Sequence, residues 1–183
     1  MTRFLLFTMS LLIFSCGEPS SQPASETTKV DQAALKSSLD ELETALKSNK
    51  TTKIDKVKAQ DLIDKSIQYV NAFPEDELSP GYLFRAAEVC VGIGSYQKAL
   101  DYWERVKKEY SSHSKAPIAL FLQGFTCENQ LKDTAKAKQF YNDFLAKYPS
   151  HEYVDQVQLL LKNIDMSPED LIKSFQEKRK TEN

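Results

Sequence analysis

Pro80-Gly81-Tyr82-Leu83-Phe84, followed by Cys90, Ala99, Trp103 and Tyr110-Ser111-Ser112-His113, is answered by Pro117-Ile118-Ala119-Leu120-Phe121, then Cys127, Ala137, Tyr141 and Tyr148-Pro149-Ser150-His151. The offset is 37 residues at the Pro, Leu, Phe and Cys positions and 38 at the Ala, aromatic, Ser and His positions. The second copy has therefore gained one residue in the turn inside the unit. A period of this size, with apolar residues three and four apart within each copy, predicts stacked helical hairpins and an all-α solenoid.

Each copy reads as two antiparallel helices. In residues 79–113, Ser79 as a cap with Pro80 behind it predicts a helix start, and Leu83, Ala86, Ala87 and Cys90 share one face. Gly92-Ile93-Gly94 predicts the turn, and Tyr96, Ala99, Leu100, Trp103 and Val106 form the answering helix. Ala87 and Ala99, and Gly124 and Ala137 in residues 115–151, are small enough for two helices to approach at the short end of the ~8–10 Å packing range. Upstream, residues 30–76 show two more apolar series, ended by Phe73-Pro74. Proline disfavours a helical residue before it. This segment reads as a degenerate first unit that lacks the alanine of the later copies. Downstream, residues 152–180 carry Tyr153, Val154, Val157 and Leu159 to Leu161, then a restart at Ser167-Pro168 before Leu171, Ile172 and Phe175. These helices are expected to cap the solenoid.

At Leu83, Ala87, Cys90, Ala99, Trp103 and Val106, and again at Leu120, Gly124, Cys127, Ala137, Tyr141 and Phe144, the pattern resembles the tetratricopeptide repeat. Pro149 stands where that family places a proline after the second helix, whereas the first copy has Ser111. Lys147-Tyr148-Pro149-Ser150 is similar to repeats in outer-membrane lipoproteins of the assembly-machine type and in the periplasmic coordinator of the Tol-Pal system. The resemblance implies a scaffold or adaptor that holds an envelope protein or peptide segment, in outer-membrane assembly or division-linked maintenance.

The first residues follow other rules. Arg3 is the only charge before Glu18, and Phe4 to Phe14 is an almost unbroken apolar run, too short for the roughly 20 residues of a membrane-spanning helix. Residues 1–15 therefore read as a secretory signal. Ile13-Phe14-Ser15-Cys16 resembles the lipoprotein signal, which implies cleavage before Cys16 and a covalent lipid on it. Gly17, where an aspartate would mark inner-membrane retention, implies the outer membrane, with the periplasmic side expected and the cell surface as the alternative. Residues 16–28 are small, polar and proline-bearing, the composition of a flexible tether. The domain proper is expected over residues 29–183.

Composition narrows the chemistry. The 183 residues are 41% hydrophobic and 27% charged, with a formal net charge of -2. One ordinary folded domain follows, without the basic field that concentrates nucleic acid. His113 and His151 are the only histidines and occupy equivalent turns, so duplication accounts for them. Cys90 and Cys127 recur on successive first helices, whose ~10 Å spacing exceeds the ~7 Å limit between bridged Cα atoms, so free buried thiols are expected. No nucleophile and base, metal set or phosphate loop is evident, and neither an enzyme nor a cofactor-binding protein is expected.

A partner-binding groove is expected one step around the first helices, at Phe84, Glu88 and Val91 and at Phe121, Phe125, Glu128 and Asn129. Phe84 and Phe121 fit equally as core between adjacent units. The alternative function is a carrier for a small ligand or nutrient serving a transporter, which calls for a closed apolar cavity.

Overall fold

The computed structural model describes residues 30–48 and 54–181. The expected signal, the lipid site Cys16 and the tether lie outside the described residues. Within them the chain is helical, without strands: α1 (Gln32–Lys47), α2 (Lys56–Ala72), α3 (Ser79–Gly92), α4 (Tyr96–Glu109), α5 (Lys115–Thr126), α6 (Thr134–Lys147), α7 (Val154–Asn163) and α8 (Pro168–Thr181). From α1 to α7 each helix packs on the next, and α3 also touches α5. This is a short helical solenoid, as the period predicts. No described helix is long and apolar enough to cross a membrane.

Local chemistry sets the helix starts. Asp31 accepts from the Ala33 and Ala34 N–H groups, Asp55 from Val57 and Lys58, and Asp133 from Lys136, so three starts carry a carboxylate cap. The Asp55 carboxyl is held below its ordinary range, chiefly by the Lys58 N–H. Ser79 departs from expectation. It is already helical, and its hydroxyl donates to the Phe73 carbonyl at 2.6 Å, closing the turn behind it. The cap of that turn is Asp76, which accepts from the Leu78 N–H at 2.9 Å.

The three connections between hairpins are built alike. Phe73, Tyr110 and Tyr148 end α2, α4 and α6 with the same backbone, φ -133, -130 and -130. Three residues on, the N–H groups of Asp76, His113 and His151 bond back to those residues' carbonyls. The side chains of the same three residues then accept the N–H two places ahead, at Leu78, Lys115 and Tyr153. His113 and His151 thus serve as turn acceptors through Nδ1, and Asp76 is their counterpart. This register makes α1 and α2 a true first unit, with Leu62 where Ala99 and Ala137 stand in the later ones.

The turns inside the hairpins differ. In the first copy the Ser95 N–H bonds to the Cys90 carbonyl at 2.8 Å, with Gly94 left-handed at φ 83. The second copy bonds the Asp133 N–H to the Cys127 carbonyl at 2.9 Å, with Lys132 at φ 57. One more residue fits between because Cys127–Leu131 winds as a π-helical turn at the end of α5. The added residue is absorbed there, and α6 is not displaced from register.

The core runs along the stack: Leu39, Leu62, Tyr69, Leu83, Trp103, Leu120, Tyr141 and Phe144 are fully buried or nearly so. Cys90 and Cys127 are buried and unbridged, as expected. Burial pushes the Cys90 thiol up to about 11 and raises that of Cys127.

Candidate functional site

Three helices converge on an open cleft of about 410 Å³. α1 contributes Lys36, Asp40 and Glu43; α3 and the turn before it contribute Glu77, Tyr82, Arg85 and Glu88; His113 and Lys115 enter from the start of α5. These are the first helices of three successive hairpins, so the cleft exists only because the hairpins stack.

Its chemistry is charged. Lys36 pairs with Asp40 at 2.8 Å and Arg85 with Glu88 at 3.4 Å, each within one helix turn. The hydrogen bond to Asp40 raises the Lys36 pKa. Lys115 Nζ sits 4.5 Å from the centroid of the Phe84 ring, whose negative face attracts the ammonium. The Arg85 Nε is buried without a hydrogen-bond partner. Such a lining suits a polar segment carrying both charge signs. Among the described residues no group of three or more His, Cys, Asp or Glu is placed to hold a metal ion.

The expected groove residues divide three ways. Phe84 and Phe121 are 5% and 7% exposed. Phe84 nevertheless contributes to the cleft lining. Phe121 packs its ring 5.2 Å from Tyr153 and 6.4 Å from Phe144, between adjacent units. Glu88 and Phe125 face solvent, and Val91 is half-buried. Glu128 and Asn129 have local work: Glu128 accepts from the Tyr141 hydroxyl at 2.7 Å, and the Asn129 amide donates to the Phe125 carbonyl at 3.0 Å. Burial first, and the Glu128 carboxylate next, push the Tyr141 hydroxyl well above the ordinary tyrosine range.

Of the expected set, Phe84 and Glu88 share the cleft. Lys36, Asp40, Arg85 and Lys115 were missed. Placing Lys36 and Asp40 opposite Arg85 requires the register of the first unit against the second, which the Asp76-for-His exchange hides in the sequence.

Close approach of α5 and α6 has a definite cause. A Cβ on Gly124 would lie 2.5 and 2.7 Å from Tyr141 ring carbons, closer than atoms pack. This contact lies inside the stretch that the comparison with known families picks out, since residues 118–151 match the family model described as tetratricopeptide repeat. That segment, the second sequence copy, is thus similar to one tetratricopeptide repeat. No curated protein matches it. Tetratricopeptide repeats generally mediate protein–protein interactions.

Proposed function

We propose that the chain is a lipid-anchored scaffold of the cell envelope that holds an extended or helical segment of a partner protein in the cleft between α1, α3 and α5. The observation that carries this reading is the cleft itself, open to solvent and lined by an ion pair on α1, an ion pair on α3 and Lys115 from α5, three stacked hairpins in all. An open charged cleft favours a peptide segment over the small apolar ligand of a carrier, which calls for an enclosed apolar cavity. The order Arg3, short apolar run, Ser15, Cys16 supports the anchor, and Gly17 supports the outer membrane. The assembly-machine and division-linked roles implied by the Lys147-Tyr148-Pro149-Ser150 resemblance belong to this reading.

A photocrosslinking residue at Glu88 in the membrane-bound protein tests the cleft. The expected result is a discrete protein adduct that disappears when Arg85→Glu is added, while a probe at Glu152 gives none. Absence of an adduct at Glu88, or one equally strong at Glu152, overturns the cleft. Mass analysis of the mature amino terminus tests the anchor, and an unmodified Cys16 overturns it.

A further inference from the structure

The hairpins are antiparallel, so their internal turns share one edge of the solenoid and the connections between hairpins share the other. The two edges differ in chemistry. On the internal-turn edge Ile54, Val57, Leu131 and Met166 are 38%, 80%, 39% and 39% exposed. Interleaved with them stand Lys56, Lys98, Lys132 and Lys136, none of them ion-paired among the described residues. The carboxylates of the same edge are engaged at Asp55 and Asp165 with Lys58 and Lys138 and at Asp133 in the α6 cap, and otherwise stand at Glu169 and Asp170 in the first turn of α8. The connection edge presents Glu75, Glu77, Glu152 and Asp155, likewise without ion pairs there, against Lys115 and Lys147. No exposed large aliphatic side chain lies on it among the described residues. A formal net charge of -2 thus conceals an excess of unpaired lysine on one edge and of unpaired carboxylate on the other.

We infer that the internal-turn edge lies against an anionic lipid surface. Each lysine near such a surface contributes about 1 kcal/mol, roughly fivefold in affinity, and exposed aliphatic side chains add burial among the acyl chains. A folded protein partner needs a contiguous apolar centre where its anchors cluster. Here the aliphatic groups are spaced along the edge with lysines between them, which a fluid surface accepts and a fixed one does not. The inference rests on the anchoring reading for its membrane, and the reach is adequate. α1 is 16 residues, about 24 Å, and begins at the acidic edge. Fifteen residue steps separate Cys16 from Asp31, a contour of at most about 50 Å, which exceeds the length of α1.

The test uses the full anchored protein in vesicles of phosphatidylethanolamine with phosphatidylglycerol, and in vesicles of phosphatidylcholine alone. A fluorophore is attached at Thr134→Cys on the lysine edge or at Ser150→Cys on the acidic edge. Cys90 and Cys127 are buried and do not compete. A quencher in the lipid headgroups should quench position 134 and not 150, only in the anionic vesicles, and the joint change Lys56→Glu, Lys98→Glu and Lys132→Glu should remove the effect. Equal quenching at the two positions overturns the inference. So does shielding of 134 from a water-soluble quencher without quenching from the lipid, which marks a protein contact instead. Protein recovered in the supernatant refutes the anchor alone. The edge is then read by sedimentation with anionic vesicles, where binding should fall about fivefold for each lysine reversed, and unchanged binding refutes it.

Discussion

Where residues 79–113 place Trp103, residues 115–151 place Tyr141, and the surroundings have changed with it: Ala87 has become Gly124 and Val91 has become Glu128. Both rings are buried, but only one is satisfied. The Trp103 indole N–H has no hydrogen-bond partner, whereas the Tyr141 hydroxyl donates to Glu128. Two copies of one plan have therefore reached different solutions at the same joint, one by apolar bulk and the other by a part-buried hydrogen bond with a glycine making room. A difference that looked like partner choice at Glu128 is in large part internal compensation.

The sharpest way to break the comparison is Gly124→Ala, which makes the second copy resemble the first at one position only. Its methyl group meets a Tyr141 ring that is fully buried and tied at its hydroxyl, so a net loss of about 1–2 kcal/mol is expected in urea unfolding, after the helix-propensity gain over glycine. Unchanged stability would show that the ring can move aside.

Glu128→Val installs the first copy's residue and leaves the Tyr141 hydroxyl without its acceptor, at a loss of about 1–2 kcal/mol. Adding Tyr141→Phe should recover most of it. The measurement is a double-mutant cycle, and strict additivity would sever the pair.

Lys132→Gly brings the wide turn toward the first copy, where Gly94 holds the same left-handed backbone. A gain of about 1 kcal/mol in unfolding free energy is expected, and no gain would mean that the lysine is unstrained.

The smallest effect concerns the junction between the copies. Gln123 donates to the Leu100 carbonyl and to Glu104, and accepts from Lys107, which also pairs with Glu104 at 2.7 Å. Burial pushes the Glu104 carboxyl up, but the hydrogen bonds from Lys107 and Gln123 outweigh it and hold the pKa below the usual value. Its stabilisation is thus present above the unfolded carboxyl range near pH ~4.3 and is lost as pH falls through the lower folded value. Glu104→Gln should lower stability at neutral pH by less than about 1 kcal/mol, a deficit that shrinks in acid. A deficit that grows in acid would contradict the assignment.

The helices and the hairpin order were legible because apolar spacing and period are carried by side-chain type. Leu83, Leu120, Ala99 and Ala137 announce their burial directly. The first unit was only half legible. Its connection uses Asp76 where the others use histidine, and what unites the three is an acceptor atom in one place, a property shared by dissimilar residues. Ser79 misled for a related reason: serine is a good cap, but a hydroxyl can also close a turn by donating backward to Phe73. The cleft was partly legible, at Phe84 and Glu88. The rest required knowing that α1 stands beside α3, and the spacing within each helix carries no information about that neighbour.

The connections bear one more consequence. Between Phe73 and Ser79, Tyr110 and Ala116, and Tyr148 and Val154, every stage of the chain reversal is held by a backbone bond, with the Asp76, His113 or His151 side chain closing it. The first two are stitched together as well, through the Tyr110 hydroxyl and the Pro74 carbonyl at 3.0 Å. The opposite edge has already absorbed an extra residue by a change of winding. Length variation can therefore accumulate on the lysine edge, where the chain is free to lengthen a turn, while the acidic edge works as a rigid spine that fixes the pitch of the stack.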